Sequence, residues 1–161
     1  MLATRQSAIG AALERLAAMP AYVQSAIASM PAASLTARAP DGSFALVEQA
    51  CHLRDLEREG YLVRARRMLA EPLAELVPFE GDVVARERDY LAQDAPAAGR
   101  DFAAARSELL ALLAGVDEAD LARAAMFEGR RITLADLVAM IEEHDHGHRA
   151  EIELLRGGAA R

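Results

Sequence analysis

The sequence contains no lysine and no tryptophan, only one cysteine, and few aromatic residues of any kind. Because Cys51 is the only cysteine, an intrachain disulfide is excluded, and the chain fits a reducing compartment. An aromatic content of 4% beside abundant alanine and leucine favours helix over strand. All 18 basic residues are arginine, a usage that we associate with a GC-rich bacterial genome.

Long apolar runs and an excess of positive charge are also missing. No segment approaches the roughly 20 apolar residues of a membrane span, and Glu14 and Arg15 interrupt the apolar stretch that a signal peptide requires. The net charge of −7 gives no general attraction to nucleic acid or to anionic lipid. We therefore expect a soluble, cytoplasmic protein that has neither nucleic acid nor membrane as a partner.

The residues that are present form amphipathic helical patterns. A chain of 161 residues suffices for one ordinary domain, which we predict over 1–156, with a loose C-terminal tail over 157–161. Helical periodicity predicts four long helices and one short polar helix, over 4–19, 44–70, 101–114, 133–156 and, for the short one, 83–93. With no convincing strand, the pattern indicates an all-α four-helix bundle.

Prolines, glycines and capping residues set the predicted helix ends. Pro20 is expected to end or kink the first helix, although residues 21–30 could add two turns before a loop over 31–43. Ser43 and Asp82 are the predicted N-caps of the second and the short helix. Residues 71–82 are expected to be a surface connection, and residues 115–132 irregular or partly helical. Other breaks are expected at Pro96 and Gly99 before Asp101, at the capping-box pattern that begins with Thr133, and at Gly157 and Gly158.

Three of the four histidines lie in the segment EEHDHGH near the end of the chain. Since helix residues advance by about 100° each, His144 and His148 share one face, whereas His146 points to solvent. That face is the apolar stripe of the last helix. His52 shares a face of the second helix with the apolar residues Ala45, Leu56 and Val63, so it is also predicted to point inward. Three neutral imidazoles from two helices form a reasonable ligand set for zinc, nickel or ferrous iron.

A hydrogen-bonded cluster of structural histidines is the alternative to a metal site. A pair of histidines four residues apart is a weak signal by itself, and a lone inward histidine is more often a core residue than a ligand. The combination is more specific, because several buried ring nitrogens would otherwise need partners. A di-metal carboxylate site requires two Glu-x-x-His pairs on different helices, and only Glu143 and His146 have that spacing. The HExxH pattern is absent.

Carboxylates near His52 are the candidates for acid–base chemistry. Glu48 and Asp55 lie one turn on either side of His52, and Glu59 lies two turns away. For Asp55 and Glu59 we favour surface pairing with arginine, whereas Glu48 is equally consistent with catalysis and is the predicted catalytic residue. Arg64 could pair with an inward carboxylate. Cys51 is expected to be packed in the core and not to act as a nucleophile.

The sequence resembles the DinB superfamily, also called DinB/YfiT-like proteins. The resemblance rests on SFALVEQACHLRDLE around His52, on LVRARRML, and on GRRITLADLVAMIEEHDHGHRAEI around the histidine pair. It implies a four-helix bundle with a long crossover connection, a metal triad on His52, His144 and His148, and a homodimer. The family often has Trp where Phe44 stands and Gln where Glu151 stands.

The resemblance leaves the reaction open, because members of the family include thiol S-transferases, isomerase-like enzymes and proteins without known substrates. The predicted function is that of an enzyme dependent on one divalent metal ion, acting on a small molecule. It would be either a hydrolase or an S-transferase that uses a low-molecular-weight thiol such as mycothiol or bacillithiol. The alternative is a non-catalytic binding or stress-response homodimer whose histidine cluster is structural.

Overall fold

The computed structural model describes residues 2–159, with side chains described from Ile9 onward, and four long helical segments dominate it. In chain order the elements are α1 (Leu2–Ser29), a 3-10 turn (Ala32–Ser34), α2 (Leu46–Asp55), a π-helical segment (Leu56–Tyr61), α3 (Leu62–Ala70), β1 (Ala74–Leu76), α4 (Gly81–Glu87), a 3-10 turn (Tyr90–Ala92), α5 (Ala95–Ala114), α6 (Glu118–Leu121), β2 (Ala124–Phe127), β3 (Arg130–Thr133) and α7 (Leu134–Ala159). α2, the π-helical segment and α3 form one continuous helix. The four-helix bundle is thus confirmed.

The first and second long helices lie across the bundle from one another. α1 packs mainly on α5 and α7, and α2 packs on the same two helices from the other side. The segment 30–45 therefore crosses the end of the bundle to join α1 to α2. This is the long crossover connection that the sequence resemblance implies.

A layer of polar side chains crosses the interior between two apolar clusters. Leu137 and Ile141 of α7 belong to one cluster, and Ile152 and Leu155 belong to the other, so that His144 and His148 lie between them. Buried charged residues occupy the same level, with Glu57, Arg106 and Asp145 respectively 1%, 1% and 7% exposed. Burial of a charge is costly unless it is paired, so this layer requires internal partners.

Arg106 supplies those partners at the centre of the layer. Its Nε donates to Glu57 Oε1 (2.5 Å) and its Nη2 to Glu57 Oε2 (3.0 Å). Nη1 and Nη2 donate to the Asp145 carboxylate at 2.7 and 3.1 Å, and Nη1 also donates to the Leu16 carbonyl oxygen at 2.9 Å. All five N–H groups of the guanidinium are thereby used. Burial disfavours its charge, but the bonds and charges of the two carboxylates outweigh burial and raise the pKa of Arg106.

The same arginine explains how α1 continues through Pro20. Proline has no N–H to donate to the carbonyl four residues earlier, which here belongs to Leu16. Arg106 Nη1 donates to that carbonyl in place of the missing backbone donor. Of the two outcomes left open at Pro20, the structure shows the continued helix, which extends to Ser29.

The expectation of no convincing strand was wrong, because three short strands form a sheet beside the bundle. β1 pairs in parallel with β2, and β2 pairs antiparallel with β3. The turn between β2 and β3 places Glu128 and Gly129 at φ of 48° and 76°, the left-handed values of a tight two-residue hairpin turn. The regions expected to be a surface connection and irregular thus contain paired strands.

Several helix ends differ from the sequence predictions. α2 starts after Ala45, whose N–H donates to Glu48 Oε2 (2.9 Å), so Ser43 is not the cap. Asp82 lies inside the first turn of α4 and does not cap it. α5 begins at Ala95, because Asp94 accepts a bond from the Ala97 N–H and proline is tolerated in a first helical turn.

The last helix begins as predicted and ends later. Thr133 and Asp136 form reciprocal hydrogen bonds at its start, which confirms the capping box. α7 continues through Gly157 and Gly158 to Ala159, whereas residues 160 and 161 of the predicted tail lie outside the described residues. Within residues 2–159, no helix has both the length and the apolar character required to cross a membrane.

Candidate metal centre

The three histidines singled out in the sequence converge on one point between α2 and α7. His144 Nε2 lies 3.0 Å from His148 Nε2 and 3.3 Å from His52 Nε2. One nitrogen from each ring lies within 4.8 Å of the others. His146 is exposed and takes no part, as predicted. The helical spacing of His144 and His148 and the inward orientation predicted for His52 are confirmed.

A hydrogen-bonded histidine cluster does not satisfy these nitrogens. A neutral imidazole carries one N–H, so His144 Nε2 can donate to only one of its two neighbours. If it donates to His148 Nε2, it cannot also accept a bond from His52. The Nδ1 atoms of His52 and His144 are buried without a hydrogen-bond partner among the described residues, and a metal ion at the Nε2 atoms would leave them so. Hydrogen bonding within the cluster therefore accounts for one of the two short contacts.

The donor set fits a divalent metal ion. Two nitrogens bound at 2.0–2.1 Å to one ion would lie about 2.9 Å apart at a right angle and about 3.3 Å apart at a tetrahedral angle. The two observed Nε2–Nε2 separations, 3.0 and 3.3 Å, match this range. Three neutral imidazoles suit zinc, nickel or ferrous iron and leave positions open for water or substrate.

Aromatic rings and a glycine surround the His52 imidazole. Phe44 meets it edge-on with ring centroids 5.7 Å apart, and Phe79 lies 6.0 Å away. A Cβ atom added at Gly81 would come within 2.7 Å of His52 Cε1 and 2.9 Å of its Nδ1. Only a residue without a side chain therefore lets the start of α4 approach the ring this closely.

The ring nitrogen of His148 that faces away from the cluster is bonded to Gln49, which is bonded in turn to Glu151. The sequence did not predict this pair of contacts. His148 Nδ1 is hydrogen-bonded to Gln49 Oε1, and Gln49 Nε2 donates to Glu151 Oε2 at 2.5 Å. Gln49 is fully buried on α2. The signal in the sequence was its spacing: Gln49 lies three or four residues from Ala45, Leu46 and Leu53, all of which are buried at helical intervals.

The predicted catalytic residue, Glu48, is buried and bonded away from the histidines. Arg38 donates to both of its carboxylate oxygens, at 2.8 and 2.5 Å, and the Ala45 N–H donates to one of them. These bonds give Glu48 a structural role at the start of α2. Its catalytic role stays a prediction.

The other candidates have arginine partners or are packed in the core. Asp55 accepts bonds from Arg54, Arg88 and the Tyr90 hydroxyl, and Glu59 is paired with Arg88, so pairing with arginine is confirmed for both. The surface position expected for Asp55 was wrong, because this residue is buried. Arg64 donates to the Val77 carbonyl oxygen and not to a carboxylate. Cys51 is buried, and burial raises the pKa of its thiol to about 11, which disfavours a nucleophilic thiolate.

Burial keeps the metal-free imidazoles neutral. It is the largest cause that lowers the pKa of His52 to about 4, and the charge of His148 lowers it further. The pKa of His148 falls to about 4 by burial, and that of His144 to about 2 by burial and by its two histidine neighbours. Neutral rings at physiological pH are the form that binds a metal ion.

These shifts predict that the metal-free protein loses stability in mild acid. An unfolded histidine binds a proton near pH 6.5, whereas His52 in the folded chain does so near pH 4. Protons therefore favour the unfolded state as the pH falls from 6.5 towards 4, and no such penalty exists above that window. For His52 alone the loss at pH 5 is about 2 kcal/mol, from 1.5 pH units at about 1.36 kcal/mol each.

Urea unfolding of EDTA-treated protein at pH 7.5 and pH 5 measures this loss. We expect His52→Gln to reduce the acid-induced loss of unfolding free energy, and His146→Gln, at the exposed histidine of the same motif, to leave it unchanged. An equal loss in wild type and His52→Gln would contradict the assignment of the depressed pKa to this ring.

Comparison with known proteins supports the fold and identifies the family. A family model described as the DinB superfamily matches residues 15–152. The solved structure of YfiT from Bacillus subtilis superposes with a TM-score of 0.85 at 22% sequence identity, covering 92% of this chain and 87% of that chain. YfiT is described as a probable metal-dependent hydrolase with an unusual four-helix bundle topology. Among curated proteins, no sequence matches this chain significantly.

Proposed function

The chain belongs to the DinB superfamily, and from this premise we propose that it is an enzyme dependent on one divalent metal ion held by His52, His144 and His148. The observation that carries the proposal is the convergence of three Nε2 atoms from two helices, with contacts of 3.0 and 3.3 Å. The description of YfiT as a metal-dependent hydrolase supports the same class of function.

Each residue around the cluster has a role in this proposal. His52, His144 and His148 hold the ion as neutral ligands, so its positive charge is not cancelled by the protein. When bound, such an ion would act as a Lewis acid and lower the pKa of a water molecule or a thiol. Phe44, Phe79 and the buried core exclude bulk water from the back of the rings and strengthen the electrostatic interactions there.

The reaction we propose is hydrolysis or thiol transfer on a small molecule. Hydrolysis is favoured by the description of YfiT, and thiol transfer by the thiol-using members of the family. In either reaction the proton released from the nucleophile needs an acceptor, the role that the sequence predicts for Glu48. Arg38 and Ala45 already donate to its carboxylate, so loss of turnover in Glu48→Gln with unchanged stability would support that role, whereas a loss of stability alone would assign Glu48 to the α2 start.

Parallel assays on untagged protein test the proposal. In one arm, zinc- or nickel-loaded protein is given small activated esters and amides; in the other it is given mycothiol, bacillithiol or glutathione with an electrophile. We expect turnover in one arm that is lost on chelation and in His144→Ala. Absence of turnover in both arms from protein that retains its ion would contradict the enzyme and favour the binding homodimer.

The close approach of Gly81 to His52 gives a further prediction. Gly81→Ala would push its Cβ into the His52 ring and displace it, since the approach is 2.7 Å. We expect zinc affinity to fall about 10- to 100-fold, the usual cost of disturbing a residue that orients a ligand. Competition with a chromogenic chelator measures this.

Gly10→Ala is the matched control for that substitution. Nothing lies within 4 Å of a Cβ at Gly10, which sits inside α1. The control should bind zinc as wild type does and gain up to about 1 kcal/mol of stability from its higher helix propensity. Equal zinc affinity in the two variants would show that the glycine at 81 does not position the ring.

A further inference from the structure

We propose that Gln49 and Glu151 act as a pair of positioning residues that fixes the tautomer of His148, so that its Nε2 lone pair faces the cluster. Gln49 is contributed by α2, whereas His148 and Glu151 lie on α7. Gln49 touches both of them. The inference deepens the proposed metal site and rests on it for its functional meaning, although the tautomer is a property of the metal-free protein.

The argument starts at the Glu151 carboxylate. An ionised carboxylate only accepts hydrogen bonds, so the Gln49 group 2.5 Å from Glu151 Oε2 must be the amide NH₂. The carbonyl oxygen of the same amide then faces His148 Nδ1. Because that oxygen only accepts, Nδ1 must carry the proton of the neutral imidazole. Nε2 is therefore the lone-pair nitrogen.

Burial makes this arrangement hard to reverse. Gln49 is 0% exposed and the His148 side chain is 11% exposed, so water cannot readily replace either hydrogen-bond partner. A buried polar group that loses its partner is left unsatisfied, which costs free energy. A flipped amide would place its oxygen against the Glu151 carboxylate. Two acceptors would then face each other, which is repulsive in either tautomer of His148.

The orientation of Gln49 depends on having a carboxylate, and not an amide, at position 151. A neutral glutamine there could accept or donate, so it would tolerate either orientation of Gln49 and would leave the His148 tautomer undetermined. Glu151 removes that freedom. Its side chain is 46% exposed, whereas the amide that it orients is fully buried.

NMR of ¹⁵N-labelled, EDTA-treated protein at pH 7.5 measures the tautomer directly, because protonated and lone-pair ring nitrogens resonate far apart. In wild type we expect His148 to be the Nδ1–H tautomer. Gln49→Leu, which removes the acceptor, should shift it towards Nε2–H, and Glu151→Gln should give a mixture. Zinc affinity should fall about 10- to 100-fold in Gln49→Leu, as for other residues that orient a ligand.

A swapped double variant separates positioning from packing. Gln49→Glu with Glu151→Gln exchanges carboxylate and amide at constant charge and nearly constant shape. His148 Nδ1–H still finds an acceptor in the new carboxylate, and the new amide still donates to it. We expect this variant to restore the Nδ1–H tautomer, of which Glu151→Gln retains only a part.

Glu143→Gln is the control, since it removes one negative charge from an exposed site of the same helix. It should change neither tautomer nor affinity. An Nε2–H tautomer in wild type, or an unchanged tautomer in Gln49→Leu, would overturn the inference. A wild-type Nδ1–H tautomer in a protein that binds no zinc would uphold the inference while contradicting the proposed function.

Discussion

Arg106→Met is expected to lower the free energy of unfolding by about 3–5 kcal/mol, the usual cost of removing one partner from a buried ion pair. The substitution leaves Glu57 and Asp145 buried without a counter-charge and removes the donor to the Leu16 carbonyl. Since unpaired buried carboxylates take up protons, the loss should be larger at pH 8 than at pH 5. Urea unfolding at the two pH values measures both effects.

Arg66→Met is the matched control for this substitution. Arg66 is also paired with a carboxylate, Glu108 at 3.2 Å, but both side chains are more than half exposed. Its removal should cost less than about 1 kcal/mol. Replacing Arg106, Glu57 and Asp145 together by apolar residues should recover much of the loss. If Arg106→Met costs no more than Arg66→Met, the buried ion-pair layer does not hold the bundle together.

His144→Ala is expected to reduce zinc affinity by more than about 100-fold, beyond what the loss of an outer hydrogen-bond partner costs. The reason is its central place, because its Nε2 is the atom that contacts both other rings. Isothermal titration of zinc into EDTA-treated, dialysed protein measures the affinity. Far-ultraviolet circular dichroism of the same samples should report an intact helical fold.

His146→Ala is the control for that experiment. It removes an imidazole from an exposed site two residues away on the same helix, so it should leave the affinity within a few-fold of wild type. Equal losses in the two variants would indicate that zinc binds the histidines of the EEHDHGH segment at the surface and not the site formed by two helices. Retention of wild-type affinity by His144→Ala would contradict the assigned ligand set.

Helical periodicity predicted side-chain orientation correctly where one face of a helix is apolar along its length. α7 is such a case, since the stripe through Leu137, Ile141 and Ile152 places His144 and His148 by rotation alone. The capping box at Thr133 is a local motif whose partners lie within one turn. Both features depend on residues close in sequence, and both were predicted.

The features that the sequence left open or missed depend on contacts between distant residues. The continuation of α1 through Pro20 requires a donor from α5, 90 residues away along the chain. The hydrogen bond of Gln49 to His148 spans 99 residues. Helical spacing within one segment cannot predict either of these hydrogen bonds, because each joins two different helices.

The buried charges left a signal that periodicity could have found. Arg106 falls in the apolar stripe of α5 that includes Phe102, Leu109 and Leu113. A charged residue at a core position predicts an internal partner of opposite charge. The strands gave a weaker signal, because they are only three or four residues long and the hairpin turn is marked by the dipeptide Glu128-Gly129 alone.

Element-resolved metal analysis of untagged protein tests the central claim most directly. The account predicts about one divalent ion per chain in wild type and in His146→Ala, and none in His144→Ala, because three ligands from two helices define a single site. It also predicts that EDTA removes the ion and lowers the melting temperature. Protein that carries no stoichiometric ion after exposure to zinc, nickel and ferrous iron, with a melting temperature indifferent to EDTA, would contradict it.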